Sequence, residues 1–249
     1  MAFDFDGTLA PIVPRPEDAT LDPALTPVVE RLRPLLGWLA VISGRDRAFL
    51  AQHVNGMLML GSYGLELPSE LSATGLPEGF PADAVRDRLD GARRELREEL
   101  AGLPGSRLEV KPWGLALHYR GAGADFDEGR ASMLVAEVGE RNGLSVQPGR
   151  LVLELKPREI VDKGWALRLL LEHLGPSAVV FIGDDLGDRP AWEAVRASEL
   201  PGLAVGIASP ELPEDALAPC NVVLGSRGVL GTFLGGLISA AEEGRAAGP

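Results

Sequence analysis

Apolar and polar positions follow two rhythms along the chain, and the change of rhythm divides it. Phe3-Asp4-Phe5-Asp6 alternates apolar with acidic residues, and Gly7-Thr8 then breaks the pattern: a short strand running into a loop. Only three residues precede Asp4, whereas a buried central strand has about five or six; either the start lies further upstream or the fold tolerates a stub. Residues 21–36 carry apolar side chains at helical spacing, with Asp22-Pro23 as cap and first-turn proline. A short apolar run, 39–42, stops at Ser43-Gly44-Arg45 and predicts a buried parallel strand. A helix over 47–53 and a strand over 57–60 follow. Strand–helix–strand order of this kind means a parallel sheet with right-handed crossovers.

The rhythm changes after residue 67. Residues 68–81, rich in Pro, Gly and Ser, read as a linker, and 83–103 as a charged amphipathic helix. Residues 108–112 and 115–120 predict a hairpin joined through Trp113-Gly114. A second helix spans 125–142, and a second hairpin pairs 145–147 with 151–155 around Pro148-Gly149. That is an αββαββ unit with an antiparallel sheet. Alternating elements then resume: helix 163–174, strand 178–182, helix 188–197, strands 203–207 and 221–224, helix 227–243, and a tail, 244–249, expected to be unstructured. The fold class predicted is therefore α/β: a Rossmann-like parallel-sheet core over 1–67 and 161–249, with an αββαββ domain, 68–160, inserted into it.

Composition narrows the function. A chain of 249 residues with 45% hydrophobic content can bury a real core. A net charge of −12 argues against nucleic acid, whose phosphates need clustered cations. No run of eighteen apolar residues and no basic-plus-apolar leader is present, so no membrane partner and a cytoplasmic location are expected; the protein is expected to act as a monomer. The single cysteine, Cys220, fits a reducing compartment. Of the 24 basic residues only Lys111, Lys156 and Lys163 are lysines, which marks those three positions as places where a compact ammonium matters.

In parallel α/β sheets ligands sit beyond the carboxyl ends of the strands. Four loops meet that test: those after Asp4 and Ile42, the one at Lys163, and the one after Ile182, Gly183-Asp184-Asp185-Leu186-Gly187-Asp188. Asp4 and Asp6 lie at one strand end, and paired carboxylates repel unless something offsets the repulsion. Asp184 and Asp188 add to them, although Asp188 can also cap a helix. Such an all-oxygen set suits Mg²⁺. Asp4 can attack phosphorus and Asp6 can move a proton. Gly7 lets the backbone approach a ligand, while Thr8 offers a hydroxyl and an amide. Ser43 and Gly44 can present a hydroxyl and amides to a phosphate. Arg45 either adds a fork of donors or caps a helix. Lys163 opens a helix, where dipole and ammonium together favour an anion. Without these partners the opening motif would be a solvated acidic turn.

Asp4-Phe5-Asp6-Gly7-Thr8 resembles the first motif of the haloacid dehalogenase superfamily. Leu9-Ala10-Pro11-Ile12-Val13-Pro14, which follows, is similar to the proline-rich run of its trehalose-6-phosphate phosphatases. Ser43, Lys163 and the Gly183–Asp188 run match the other motifs of the superfamily, so the resemblance covers nearly the whole chain. It implies that Asp4 is the nucleophile and becomes an aspartyl phosphate. Asp6 would protonate the leaving sugar oxygen and then activate water, with its acidity set by crowded carboxylates. Ser43 and Lys163 would hold phosphoryl oxygens. Mg²⁺ would be bound by Asp4, the Asp6 carbonyl and Asp184, with Asp188 nearby. The αββαββ unit resembles the family's cap, and the positions that would grip a phosphosugar are Glu109, Lys111, His118, Arg120, Glu154 and Lys156, with Gly64 and Glu66 from the core rim. Cross-strand salt bridges on an exposed hairpin face explain the charged cap residues equally well. Trp113 and Trp165 either stack on sugar or pack in cores. One departure stands out: where the family carries an acidic residue after the last motif, this chain has Arg189-Pro190. The implied reaction is hydrolysis of trehalose 6-phosphate. Alternatives are hydrolysis of a sucrose-phosphate or glycosyl-phosphoglycerate type of phosphosugar, and a phosphomannomutase-like phosphotransfer.

Overall fold

The computed structural model describes residues 1–74, 76, 79–123, 126–149, 151–159, 161–209, 212–213 and 215–246. By contact the chain divides into two compact units, Met1–Thr74 with Val161–Pro249, and Gly75–Ile160. In the first unit, strands β1 (Ala2–Phe3), β2 (Ala40–Ile42) and β3 (Leu58–Leu60) alternate with helices α1 (Thr26–Leu32) and α2 (Arg47–His53). The second unit contains α3 (Ala82–Glu99), β4 (Arg107–Lys111), β5 (Gly114–His118), α4 (Glu128–Arg141), β6 (Leu144–Gly149) and β7 (Val152–Pro157). The chain then returns to the first unit with α5 (Lys163–Leu174), β8 (Val179–Gly183), α6 (Arg189–Ala197), β9 (Gly202–Ile207), β10 (Val222–Leu224) and α7 (Leu230–Ala246).

The six-stranded sheet runs β10-β9-β8-β1-β2-β3 and its strands pair in parallel. Its chain order steps outward from β1 on one side and restarts at β8 on the other, so the topological switch lies between β1 and β8. Ligands bind outside the carboxyl ends at such a point. Both faces are covered, which is why these strands read as apolar runs without alternation. Phe3, Val41, Ile182 and Val205 share one buried cluster with residues of α1, α2 and α7. Ala2, Ala40, Ile42 and Phe181 share the other with Leu167, Leu170 and Trp192 of α5 and α6. Two residues suffice for β1 because it is wholly buried and hydrogen-bonded on both edges.

Several expected boundaries move, each for a local reason. Asp22 accepts from the Ala24 amide and from Arg227 instead of capping a helix, and α1 begins at Thr26 with Pro27 in its first turn. Pro34 then converts the end into the 3₁₀ turn Arg33–Leu35. Part of the expected linker is the 3₁₀ segment Ser69–Thr74, tied down by buried Leu71. Asp127 caps α4 by accepting from the Arg130 amide, later than the expected start at Asp125, which lies outside the described residues. Pro148 and Gly149 pair with Leu153 and Val152 as strand, and the described turn residue is Leu151, at φ +60°. The expected tail is helical through Ala246; 247–249 lie outside the described residues.

In the second unit the antiparallel sheet runs β4-β5-β7-β6. Leu115, Leu117, Leu153 and Leu155 form its buried face, against which α4 lies so closely that a Cβ on Gly139 would come within 2.9 Å of Leu155. Helix α3 buries Val85, Leu89, Ala92 and Leu96 on one side, as its amphipathic pattern requires.

Candidate active site

Asp4 leaves β1 with its amide donating to the Ile182 carbonyl of β8 (2.9 Å), which fixes it at the switch point. Lys163 is the first residue of α5, and the Asp162 side chain caps that helix through the Trp165 amide (2.8 Å). The Lys163 ammonium lies 2.7 Å from Asp4 Oδ1 and 2.7 Å from Asp188 Oδ1, with Asp185 at 4.0 Å. Asp4, Lys163 and Asp188 are buried. Asp188 Oδ2 accepts from the Asp184 and Asp185 amides (2.8 and 3.0 Å), and its side chain fills the space beside Gly183. Asp184 Oδ1 accepts from the Thr8 hydroxyl (2.9 Å). Helix cap, lysine and loop thus fix one another.

Asp4, Asp184 and Asp188 each bring a carboxylate oxygen within 4.8 Å of the others. A single ammonium stands among them. Burial, then the neighbouring carboxylates, hold Asp4 well above its ordinary range despite Lys163. Burial and Asp188 push Asp184 up to about 7. Burial, opposed by Lys163, brings Asp188 to about 6. Burial alone would lower Lys163, but Asp188 and Asp4 outweigh it and raise the lysine well above its usual value. Crowded hard oxygens under excess negative charge are the donor set of a divalent cation, and the cluster is consistent with such a site.

Asp6 does not join this group, contrary to the expectation of crowding. The chain turns sharply after it: the Gly7 amide donates to the Ala10 carbonyl and the Ala10 amide to the Phe5 carbonyl (2.8 Å each). The Asp6 carboxylate is then gripped by both arms of Arg45, Nε to Oδ2 and Nη2 to Oδ1, each at 2.7 Å. The Arg45 fork is thus directed at Asp6, and Asp46 caps α2 in its place by accepting from the Phe49 amide (2.7 Å). Gly7 has φ +85°, and a Cβ there would fall 1.9 Å from Asp184 Oδ2, so no larger residue fits.

Ser43 is buried at the end of β2, and its hydroxyl accepts from the Arg45 amide (3.1 Å). Gly44 lies under Tyr63, whose hydroxyl would be 2.7 Å from a Cβ. Tyr63 escaped the sequence reading. Its amide donates to the Ser43 carbonyl (2.9 Å), the Ser62 amide donates to the Arg45 carbonyl (2.8 Å), and both residues have positive φ, 48° at Ser62 and 60° at Tyr63. Strain of this kind persists where surrounding structure enforces it. Gly64, at φ +101°, sits against Trp165 and Ala166, and Glu66 accepts from the Ser62 hydroxyl (2.6 Å) and the Arg47 amide (3.3 Å). Of these positions only Gly64 carries a sequence signal for its backbone.

In the second unit, register places Glu109, Lys111, His118, Glu154 and Lys156 on one sheet face, opposite the apolar one. Lys111 and Lys156 both pair with Glu154 (2.5 and 2.8 Å), and His118 meets Glu109 at 2.6 Å. Burial works to raise Glu154, but the two ammoniums more than offset it and bring it to about 2. Arg120 lies just past β5, half-buried. Trp113 is buried against Phe80 and the Arg86 guanidinium.

A trehalose-phosphatase family model matches residues 2–216. Over 205 residues the chain is 37% identical to a trehalose-phosphate phosphatase of Mycobacterium marinum, covering 78% of this chain and 50% of that protein. Over 215 residues it is 36% identical to the enzyme of the same name from Mycolicibacterium paratuberculosis, covering 82% and 53%. The chain therefore spans about half the length of these curated relatives. Among solved structures, a trehalose-6-phosphate phosphatase related protein superposes with TM-score 0.74 at 20% identity, over 97% of this chain and 98% of that one. The C-terminal domain of the Candida albicans trehalose-6-phosphate phosphatase gives 0.69 at 23%, over 96% and 91%. These likenesses show the fold, that of haloacid dehalogenase-like hydrolases. No helix of the described residues is long and apolar enough to cross a membrane.

Proposed function

This chain belongs to the trehalose-phosphatase family, and from that premise we propose that it hydrolyses trehalose 6-phosphate to trehalose and phosphate with Mg²⁺ as cofactor. The observation that carries the reading is the Lys163-centred cluster where β1 and β8 end. Asp4, Asp184 and the Asp6 carbonyl are assigned to the metal, with Asp188 bracing them. Bound there, the cation would neutralise the carboxylates and draw charge from phosphoryl oxygens.

An Asp4 carboxylate oxygen attacks phosphorus, a new P–O bond forms, and the bond to the sugar oxygen breaks. Lys163, which opposes the upward push on Asp4, steadies phosphoryl oxygens together with Ser43, the Gly44 amide and Thr8. Asp6 gives its proton to the departing sugar oxygen. Water then attacks the aspartyl phosphate, Asp6 takes the proton from that water, and Asp4 is regenerated as phosphate leaves. Sugar hydroxyls favour charged, bidentate partners, and the polar face carrying Glu109, Lys111, His118, Glu154 and Lys156, with Arg120 just past β5, offers them.

The test is phosphate release from a panel holding trehalose 6-phosphate, sucrose 6-phosphate and a glycosyl-phosphoglycerate, with Asp4→Asn as control. Trehalose 6-phosphate should lead the panel, EDTA should stop the reaction, and Asp4→Asn should abolish it while the protein still melts cooperatively. Activity in Asp4→Asn within about tenfold of the unaltered enzyme would remove the nucleophile assignment.

A further inference from the structure

Asp6 stands two positions from Asp4, close to a cluster that attracts cations, yet its carboxylate faces Arg45. That arrangement is held from several sides. The Arg45 guanidinium lies over the Phe49 ring, 4.4 Å from its centroid, and a cation resting on an aromatic face resists displacement. Phe49 in turn meets the buried ring of Phe5 edge-on at 5.8 Å and His53 at 4.5 Å. The Arg45 backbone is anchored at both ends, by its own amide on Ser43 Oγ and by its carbonyl under the Ser62 amide. Phe5 immediately precedes Asp6, so the contacts close a ring: Phe5 seats Phe49, Phe49 floors Arg45, and Arg45 grips Asp6. Both partners keep some exposure, 20% for the arginine side chain and 31% for the aspartate, so the pair borders open space and is not sealed in the core.

A carboxylate bound to a divalent cation is a poor proton carrier, because the cation competes for the same lone pairs. A proton carrier beside a metal site therefore needs something to hold it outside the coordination sphere. The planar fork of an arginine fits both oxygens of a carboxylate, whereas a lysine offers only a point charge. From this geometry we infer that Arg45 is a positioning residue, which holds the Asp6 carboxylate away from the Asp4–Asp184–Asp188 cluster and in place to exchange a proton with the leaving oxygen. The inference rests on the acid–base role assigned to Asp6 above and adds the group that makes it possible.

The test is a double-mutant cycle in the full chain: Arg45→Met, Asp6→Asn and the two together, with Arg45→Lys as a milder variant. Thermal melts establish which of them fold. Trehalose 6-phosphate and 4-nitrophenyl phosphate are assayed in parallel, so a wrong choice of sugar leaves the comparison standing. A positioned proton carrier contributes on the order of 100-fold or more to rate. Arg45→Met should lower kcat on the sugar phosphate by about that factor with KM changed no more than about threefold. On the aryl phosphate, whose leaving group departs without a proton, first-turnover release of nitrophenolate should fall far less. The double variant should be no slower than Asp6→Asn alone, because residues acting through one another are not additive. Arg45→Lys should recover only part of the rate, and it carries the test if Arg45→Met does not fold. Losses that multiply in the double variant, or a tenfold rise in KM on both substrates with kcat kept, would assign Arg45 to the substrate phosphate and overturn this inference alone. An Asp6→Asn enzyme as fast as the unaltered one would remove the acid–base role and this inference with it, while the phosphatase reading stands or falls on the substrate panel and Asp4→Asn.

Discussion

At the scale of single residues, Gly7 couples the two ends of the site. Its φ of +85° lies where side chains are disfavoured by about 1 kcal/mol or more, and a Cβ would strike the Asp184 carboxylate. Gly7→Ala should therefore displace Asp184 from Thr8. We expect kcat/KM to fall by at least about tenfold, with weaker Mg²⁺ dependence in an activity titration; an unchanged titration would contradict the coupling. Asp4, Ser43 and Asp184 follow apolar runs whose ends are visible in the sequence, Lys163 is one of three lysines and opens a helix, and Asp188 belongs to the acidic loop after Ile182. The structure brings Asp4, Lys163, Asp184 and Asp188 together. The partner of Asp6 was not legible. Nothing in Asp-Phe-Asp-Gly-Thr says that an arginine 39 positions on will claim the second carboxylate. The left-handed backbone at Ser62 and Tyr63 was equally hidden, since neither residue type favours it and only tertiary contacts impose it.

Among the elements, α5 connects sequence to chemistry most directly, since Lys163 is its first residue and its aim depends on how the helix begins. Asp162→Ala removes the acceptor for the Trp165 amide, at a cost of about 1 kcal/mol. Activity should drop more than that loss alone explains, because the first turn carries the ammonium that touches Asp4 and Asp188. Urea unfolding and kcat measured on the same preparation check this; a stability loss with kcat intact would separate cap from site. Long strands and helices were readable from periodicity, while ends shifted wherever a cap was ambiguous. Asp22 had the chemistry of a helix cap but turns toward Arg227, and Pro148 and Gly149 look like a turn yet continue β6. In the antiparallel sheet the alternation was plain, and it places Glu109, Lys111, Glu154 and Lys156 on one face, where both lysines meet Glu154.

On the scale of the whole molecule, the charge cluster should govern how stability responds to pH. Asp184 and Asp188 have folded-state values near 7 and 6, against about 3.9 for an unfolded aspartate. Between those limits the folded protein binds protons that the unfolded chain has released, so the cluster's contribution to stability declines as pH rises from about 4 to about 7. Below that window the contribution is fully favourable; above it, it is lost. A divalent cation binding the ionised carboxylates should reverse the loss. Melting at pH 5 and pH 7.5, with and without Mg²⁺, should show a larger Mg²⁺-induced rise in Tm at the higher pH, and equal rises at both would contradict the assignment. Length, charge and the order of elements were enough to set the fold class, since strand–helix alternation leaves few topologies. They do not give the electrostatics, which arise from loops far apart in sequence.

The strand order also has a consequence for biosynthesis. β1 leaves the ribosome well before its neighbour β8 and the ammonium facing Asp4, which are encoded more than a hundred and fifty codons later. Until then the nascent chain carries Asp4 without its ammonium and one edge of β1 without its neighbour, and only late, long-range closure supplies them.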